Sequence, residues 1–268
     1  MLEIWLNKIN EELDKYNQEN PDNPAAPYAV NHIVHKSNVR LQQDIDICAK
    51  WEAPVWITSL GARPEVNEVA HQANGIVLHD IINNVFAKKA IEKGADGLVA
   101  VAAGAGGHAG TLSPFALIQE IREWFDGPLL LSGSIANGGA VLAAQAMGAD
   151  LAYIGSAFIA TNEANADQRY KEMITESSAD DIVYTNLFTG VHGNYLKGSI
   201  EAQGLDPNNL EVSDSSKMNF SSGASKPKSW KEIWGSGQGI SAVKSILPAS
   251  DLVKRINDEY IEAKNKLI

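Results

Sequence analysis

A glycine-rich stretch with a single histidine is the part of the sequence whose residue types most directly suggest chemistry. Residues 99–111 begin as an apolar strand pattern and continue through four glycines, with His108 among them. Glycines let a backbone approach a ligand closely, and histidine is the usual acid or base near neutral pH. The stretch therefore suggests a catalytic histidine beside a ligand. The alternative is a tight turn with a solvated histidine.

Two further loops have the composition of anion-binding loops. Leu131–Gly139 reads Leu-Ser-Gly-Ser-Ile-Ala-Asn-Gly-Gly, and Tyr153–Phe158 reads Tyr-Ile-Gly-Ser-Ala-Phe. Small residues before helix N-termini expose backbone N–H groups, and the helix dipole favours an anion there. In a (β/α)8 barrel, two such loops after the seventh and eighth strands are the usual phosphate site. The alternative is tight packing of each loop on its helix.

The elements around these loops alternate between short apolar runs and helical patterns, as in parallel strands joined by helices. Strands are predicted at 28–31, 55–59, 75–79, 97–101, 128–132 and 151–154. Amphipathic helices are predicted at 1–16 and 249–266, and Asn38 is a candidate N-cap for a helix containing Leu41. This spacing suits either a barrel or an open doubly wound sheet.

The composition excludes several classes of protein. Of 268 residues, 22 are basic and 33 acidic, and the net charge of -11 disfavours nucleic acid and anionic membranes as partners. The single cysteine, Cys48, rules out an intramolecular disulfide and a cysteine metal cluster. No apolar stretch approaches the roughly 20 residues of a membrane span, and the N-terminus does not resemble a signal peptide. The expected location is the cytoplasm.

The loops together resemble, in order and spacing, those of the nitronate monooxygenase (2-nitropropane dioxygenase) family. The stretches that carry the resemblance are 105–110, 131–136 and 148–158. Thr185–Gly190 and Trp234–Gly239 are also similar to family motifs. The resemblance implies an α/β fold, the (β/α)8 TIM barrel, with about six of its eight strands in this chain. It also implies FMN as cofactor.

The resemblance assigns roles to eight residues. His108 corresponds to the family's catalytic base. The flavin phosphate would lie on the last two strand loops, and the flavin would be lined by glycines and touched by an asparagine. The corresponding cofactor-binding residues are Asn31, Gly106, Gly107, Gly133, Ser134, Gly155 and Ser156.

The implied reaction oxidises nitronates or nitroalkanes with O2 to carbonyl compounds and nitrite. The expected partners are a small-molecule substrate and O2, without nucleic acid or membrane, and the family is compatible with a homo-oligomer. Two alternatives remain open. One is a flavin-type NAD(P)H-dependent enoyl-(acyl-carrier-protein) reductase, and the other is a non-catalytic truncated barrel.

The expected domain organisation separates a barrel from a lid. Residues 1–176 and 241–268 are assigned to the FMN-binding barrel, and 177–240 to an insertion that covers the substrate. Trp230 and Trp234 are candidates to cover the substrate. His79 ends a predicted strand and is a candidate to approach the flavin. No metal site is expected, since His32 and His35 lack a carboxylate pattern around them.

The sequence departs from the family at several positions. Val101 stands where several relatives have glutamine, and Asp80 where some have lysine. Val191–Asn194 follows the Phe-Thr-Gly motif where arginines are frequent. The family also begins with a strand carrying an Ala-Pro-Met motif, a helix and a second strand, for which no counterpart precedes Tyr28. We therefore hypothesise that Met1 is a truncated or misassigned start of a longer protein.

Overall fold

The computed structural model describes residues 1–214 and 231–267. The chain divides into two compact units. Unit 1 comprises Met1–Asp80 and Lys88–Leu98, and unit 2 comprises Ile81–Ala87 and Val99–Ile268. Within the described residues, no helix is both long and apolar enough to cross a membrane.

Helices and strands alternate along most of the described chain. The first elements are α1 (Leu2–Glu19), β1 (Ala29–Ile33), α2 (Leu41–Lys50), β2 (Val55–Ser59), α3 (Pro64–Gln72), β3 (Ile76–Ile81), α4 (Asn84–Glu92), β4 (Gly97–Val101), β5 (Gly107–His108) and α5 (Pro114–Arg122). The later elements are β6 (Leu129–Ser132), α6 (Gly138–Met147), β7 (Leu151–Tyr153), α7 (Ser156–Ile159), α8 (Gln168–Glu176), β8 (Ile182–Thr185), β9 (Gly193–Leu196), α9 (Lys197–Glu201) and α10 (Ala249–Leu267), with 3-10 helices at Ala179–Asp181 and Gln238–Ala242.

Six of the strands belong to one sheet, in the order β1-β2-β3-β4-β6-β7. β1 pairs with β2, β2 with β3 and β6 with β7 in parallel, with Val55 opposite Ile76 and Leu131 opposite Ala152. All five residues of β4 are buried, as expected of a strand covered on both faces. The strand order follows the chain without reversal, which is the order of a barrel and differs from that of a doubly wound sheet.

Unit 1 has its own core between helices and strands. Leu41, Ile45 and Cys48 of α2 are buried, since spacings of four and three place them on one helical face. Trp56 of β2 is fully buried and stacks on His32, with ring centroids 5.0 Å apart. The indole N–H of Trp56 donates to a backbone carbonyl, so its polar atom is satisfied.

Unit 2 contains a close approach of two helices. At Gly138, the first residue of α6, a Cβ atom would overlap the backbone of Ile256 and Tyr260 in α10. The backbone N–H of Gly138 donates to Glu259 Oε2 at 2.9 Å. Glycine is required here because α10 occupies the space of a side chain.

A small antiparallel sheet, in the order β5-β9-β8, also lies in unit 2. Gly107 pairs with Asn194, and His108 pairs with Gly193. A Cβ on Gly193 would lie 2.7 Å from the carbonyl oxygen of Gly107, so the two strands require a glycine at that position. This sheet sets the backbone position of His108.

The six predicted strands are confirmed. β2 and β4 have the predicted bounds, and the other four differ by at most two residues at either end. The proposed Asn38 cap is wrong, because α2 begins at Leu41 with Arg40 at its N-cap. The Asn38 side chain donates to the carbonyl of Ile33 at 2.8 Å, and its Oδ1 accepts from the N–H of Arg40 at 3.1 Å, just before the helix.

The lid assignment for residues 177–240 stays a prediction. Trp230 and the rest of 215–230 lie outside the described residues. Trp234 is 7% exposed and stacks on Tyr170, with ring centroids 5.0 Å apart. Trp234 therefore packs in the core of unit 2, and its expected role in covering the substrate stays a prediction.

Candidate functional site

A small hollow lies in unit 2 where three strand-to-helix loops meet. The loops follow β4, β6 and β7, and the carboxyl ends of parallel strands are where barrels bind ligands. A fourth segment, residues 237–240, completes the lining. The lining residues are Gly104, Ala105, Gly106, Ser132, Gly133, Ser134, Ile135, Ala136, Tyr153, Gly155, Ser156, Gly237, Gly239 and Ile240.

Glycines bring the loops of the hollow close together. Gly104 has a φ of 80°, and a Cβ atom there would overlap the hydroxyl of Ser134. A Cβ atom on Gly239 would lie 2.7 Å from the carbonyl oxygen of Ser134. Both positions therefore require glycine, because the side chains of Ser134 and Gln238 lie against Gly104 and the backbone of Ser134 lies against Gly239.

Hydrogen bonds hold the loops in this arrangement. The carbonyl oxygen of Gly104 accepts from the backbone N–H groups of Ser134, at 3.2 Å, and Gln238, at 2.9 Å. The hydroxyl oxygen of Ser156 accepts from the N–H of Gly237 at 2.9 Å. That bond does not use the hydroxyl hydrogen of Ser156, which can donate to a ligand.

The described lining residues include no charged side chain. An anion would meet hydroxyl and N–H donors there without a carboxylate to repel it. Two N–H groups in the first turn of α6 already have partners, because Gly138 N–H donates to Glu259 and Ala140 N–H donates to Asn137. A contribution of the α6 N-terminus to anion binding stays a prediction.

His108 lies in β5, directly after the loop that lines the hollow. Its Nε2 atom is 2.9 Å from Thr189 Oγ1, and that hydroxyl donates to the carbonyl of Val191 at 3.0 Å. Because a hydroxyl has one hydrogen, Thr189 accepts from the Nε2–H of His108. This tautomer makes Nδ1 the basic nitrogen of the ring.

Burial controls the protonation of His108. It lowers the pKa of His108 from 6.5 to about 4, because the charged imidazolium loses hydration in the protein interior. The imidazole is consequently neutral at pH 7. A neutral, half-buried imidazole is the form of histidine that can accept a proton.

The structure brings five predicted cofactor residues together. Those that line the hollow are Gly106, Gly133, Ser134, Gly155 and Ser156. Gly107 is the next residue after Gly106 and begins β5. Asn31 lies on β1 in unit 1 and is exposed.

The remaining histidines have structural partners. His79 is 5% exposed, and its Nδ1 lies 2.6 Å from Thr58 Oγ1. His32 is buried against Trp56, and His35 contacts Ser37. Over residues 1–214 and 231–267, no group of three or more His, Cys, Asp or Glu side chains is arranged to hold a metal.

Four residues of the site lie outside the three loops that the sequence singled out. Thr189, Gly237, Gly239 and Ile240 belong to or border stretches similar to family motifs, but no site role followed from that similarity. Thr189 is 81 residues from His108, and Gly237 is 81 residues from Ser156. The available signal was the concentration of small residues in these stretches.

Comparisons with known proteins place the chain among relatives. A family model described as nitronate monooxygenase matches residues 3–259. A nitronate monooxygenase of Paraburkholderia phytofirmans is 28% identical over 190 residues, which are 65% of this chain and 51% of that protein. The chain thus spans about half the length of this curated relative.

Two solved structures are similar in fold. Nitroalkane oxidase from Streptomyces ansochromogenes has a TM-score of 0.74 at 22% identity, covering 96% of this chain and 87% of that one. FabK from Thermotoga maritima has a TM-score of 0.74 at 21% identity, and the match covers 96% of this chain and 83% of that one. These similarities confirm the predicted fold class.

Proposed function

Because this chain belongs to the nitronate monooxygenase family, we propose that it is an FMN-dependent oxidoreductase. Its substrates are nitronates or nitroalkanes, which it oxidises with O2 to carbonyl compounds and nitrite. One observation carries the proposal: residues 104–106 line a hollow without charged side chains, and the neutral base His108 follows two residues later. Residues 104–108 thus contain both a candidate phosphate-binding loop and a candidate proton acceptor.

The hollow suits the phosphate group of FMN. Gly133 and Gly155 line the hollow, and a Cβ atom added at Gly155 would meet no atom within 4 Å. Ser134 and Ser156 place hydroxyl groups around this open position. No Cβ atom could be added at Gly106 without reaching the backbone of the 236–237 segment, so the cradle depends on small residues. Bound FMN would supply the electron transfer between substrate and O2.

The proposed contacts with the flavin beyond its phosphate come from the family resemblance. Gly106 and Gly107 would line the flavin, and Asn31 would contact it. Asn31 is exposed and therefore accessible to a ligand.

His108 is the proposed catalytic base. Its Nδ1 atom would accept the α-proton of a neutral nitroalkane, while Thr189 holds Nε2–H. The negative charge that develops on the substrate stabilises the imidazolium form, which offsets the effect of burial on the pKa. A preformed nitronate has already lost this proton and does not require the base.

A visible absorption spectrum of the purified 268-residue chain tests the proposal. After mixing with FMN and removal of the excess, we expect flavin bands to remain with the protein. We further expect these bands to bleach without oxygen when a nitronate is added. A colourless protein would contradict the cofactor and favour the non-catalytic alternative. Bleaching by NADH but not by a nitronate would favour an enoyl reductase.

Thr189 provides a test of how the base is positioned. In Thr189→Val, the acceptor for the Nε2–H of His108 is lost, so we expect kcat/KM for a neutral nitroalkane to fall about tenfold, the value of one hydrogen bond. FMN retention and nitronate turnover should not change. Thr189→Ser keeps the hydroxyl and serves as the matched control. Equal rates for both variants would show that the hydroxyl does not orient His108.

A further inference from the structure

A second group of polar side chains lies in unit 1, on three neighbouring strands. Asn31 is in β1, Ser59 ends β2, and Asp80 is near the end of β3. The hydroxyl of Ser59 lies 2.5 Å from Asp80 Oδ2 and 3.5 Å from Asn31 Oδ1. Because one hydroxyl hydrogen serves one strong bond, Ser59 donates to Asp80. The amide of Asn31 is only weakly engaged by this contact.

The second oxygen of Asp80 has no partner. Asp80 Oδ1 is buried, and it accepts no hydrogen bond from the part of the chain that the structure describes. Burial raises the pKa of Asp80 from 3.8 to about 6, against the opposing effect of its bond with Ser59. The carboxyl group is therefore mostly ionised at pH 7 and acts as an acceptor. Folded proteins rarely leave such an atom unsatisfied unless it has a functional role.

The neighbours of Asp80 indicate what kind of ligand would satisfy it. A metal ion normally takes several carboxylate or histidine ligands, and no such group exists among the described residues. Asp80 has instead a serine and an asparagine beside it. The carboxylate of Asp80 accepts a hydrogen bond and the amide of Asn31 can donate one. The pair therefore matches a planar group in which an N–H lies beside a carbonyl.

We propose that Asp80 Oδ1 accepts a hydrogen bond from the imide N–H of a flavin ring, with the Asn31 amide beside it as donor to an adjacent ring carbonyl. This inference rests on the proposed function, which supplies the flavin. The isoalloxazine ring has one N–H between two carbonyl groups, and this order complements the two side chains. Ser59 is a positioning residue, since its bond to Oδ2 leaves Oδ1 for the ligand.

Riboflavin and N3-methylriboflavin distinguish this contact from binding of the phosphate. Both lack a phosphate, and only riboflavin has the imide N–H. We expect the 268-residue chain to bind riboflavin at least about tenfold more tightly than the methylated compound, as measured by flavin fluorescence, because a hydrogen bond to a carboxylate is lost. In Asp80→Ala this preference should disappear.

Asp80→Asn keeps the volume of the side chain but removes its charge. A charge-assisted hydrogen bond is about twice as strong as a neutral one, so the preference should fall by about threefold or more. If the methyl group were excluded only by its size, Asp80→Asn would keep the full preference. Because each preference is a ratio within one variant, a general loss of affinity does not imitate the expected result.

Three outcomes would overturn the inference about Asp80. They are equal binding of the two compounds by the unaltered chain, no riboflavin binding, and an unchanged preference in Asp80→Asn. If any of these occurs while the chain retains FMN, only the role of Asp80 fails. If the chain does not retain FMN, the proposed function itself fails.

Discussion

His108→Asn is expected to lower kcat/KM for a neutral nitroalkane by about a hundredfold to ten-thousandfold, the usual contribution of a general base. Turnover of the preformed nitronate should remain, because that substrate has no α-proton to lose. Asparagine retains a side-chain polar group of similar reach but cannot accept a proton at neutral pH. Oxygen consumption with the two forms of one nitroalkane measures the difference.

The flavin content of His108→Asn is the control for this experiment. Equal loss of activity on nitroalkane and nitronate, with FMN still bound, would contradict the assignment of the base. The pH profile gives a second check. With the pKa of His108 lowered to about 4, the unprotonated form dominates above that pH. Free-enzyme activity on the nitroalkane should therefore persist at pH 5.5, where an ordinary histidine would be mostly protonated.

Gly155→Asp is expected to weaken FMN binding by about a hundredfold or more, since a carboxylate within a few ångströms of the phosphate repels it. The position suits a clean test. Gly155 lines the hollow, and a Cβ atom added there meets no atom within 4 Å. It is also the N-cap residue of α7, where aspartate is a favoured residue. The substitution should therefore change the charge of the hollow without disturbing the fold.

Gly155→Asn is the matched control, because asparagine has the same size and capping ability but no charge. We expect it to retain FMN within about threefold of the unaltered chain, since only the Coulomb term is absent. Added salt should partly restore binding in Gly155→Asp by screening the repulsion. If Gly155→Asp and Gly155→Asn bind FMN equally, the phosphate does not lie in this hollow.

The elements with strong local patterns were predictable. β4 is an apolar run after a glycine, and α10 has apolar residues at helical spacing. The short strands β5, β8 and β9 were not predicted, since two to four residues show no period. The N-cap of α2 was also misplaced by two residues, because the Oδ1 atom of Asn38 accepts from the N–H of Arg40, which precedes the first residue of the helix.

The candidate site was predictable only in part. Glycine and serine make the loops recognisable from the sequence, and the family resemblance then named five of the lining residues in advance. Their partners could not be named. Thr189 reaches His108 through the pairing of β5 with β9. Asp80 Oδ1 is left without a partner because the hydroxyl hydrogen of Ser59 is donated to Oδ2.

By itself, the sequence determined the six strand-and-helix units, the three small-residue loops and the family resemblance, because each depends on residues close together in the chain. Periodicity left a barrel and a doubly wound sheet open and the family resemblance implied the barrel, which the strand order β1-β2-β3-β4-β6-β7 then bore out. The tertiary structure alone showed that the N–H of Gly237 donates to the hydroxyl of Ser156 and that Trp234 is buried. The physical reason is that hydrogen bonds and packing between distant segments depend on the three-dimensional path of the backbone, for which local periodicity has no signal.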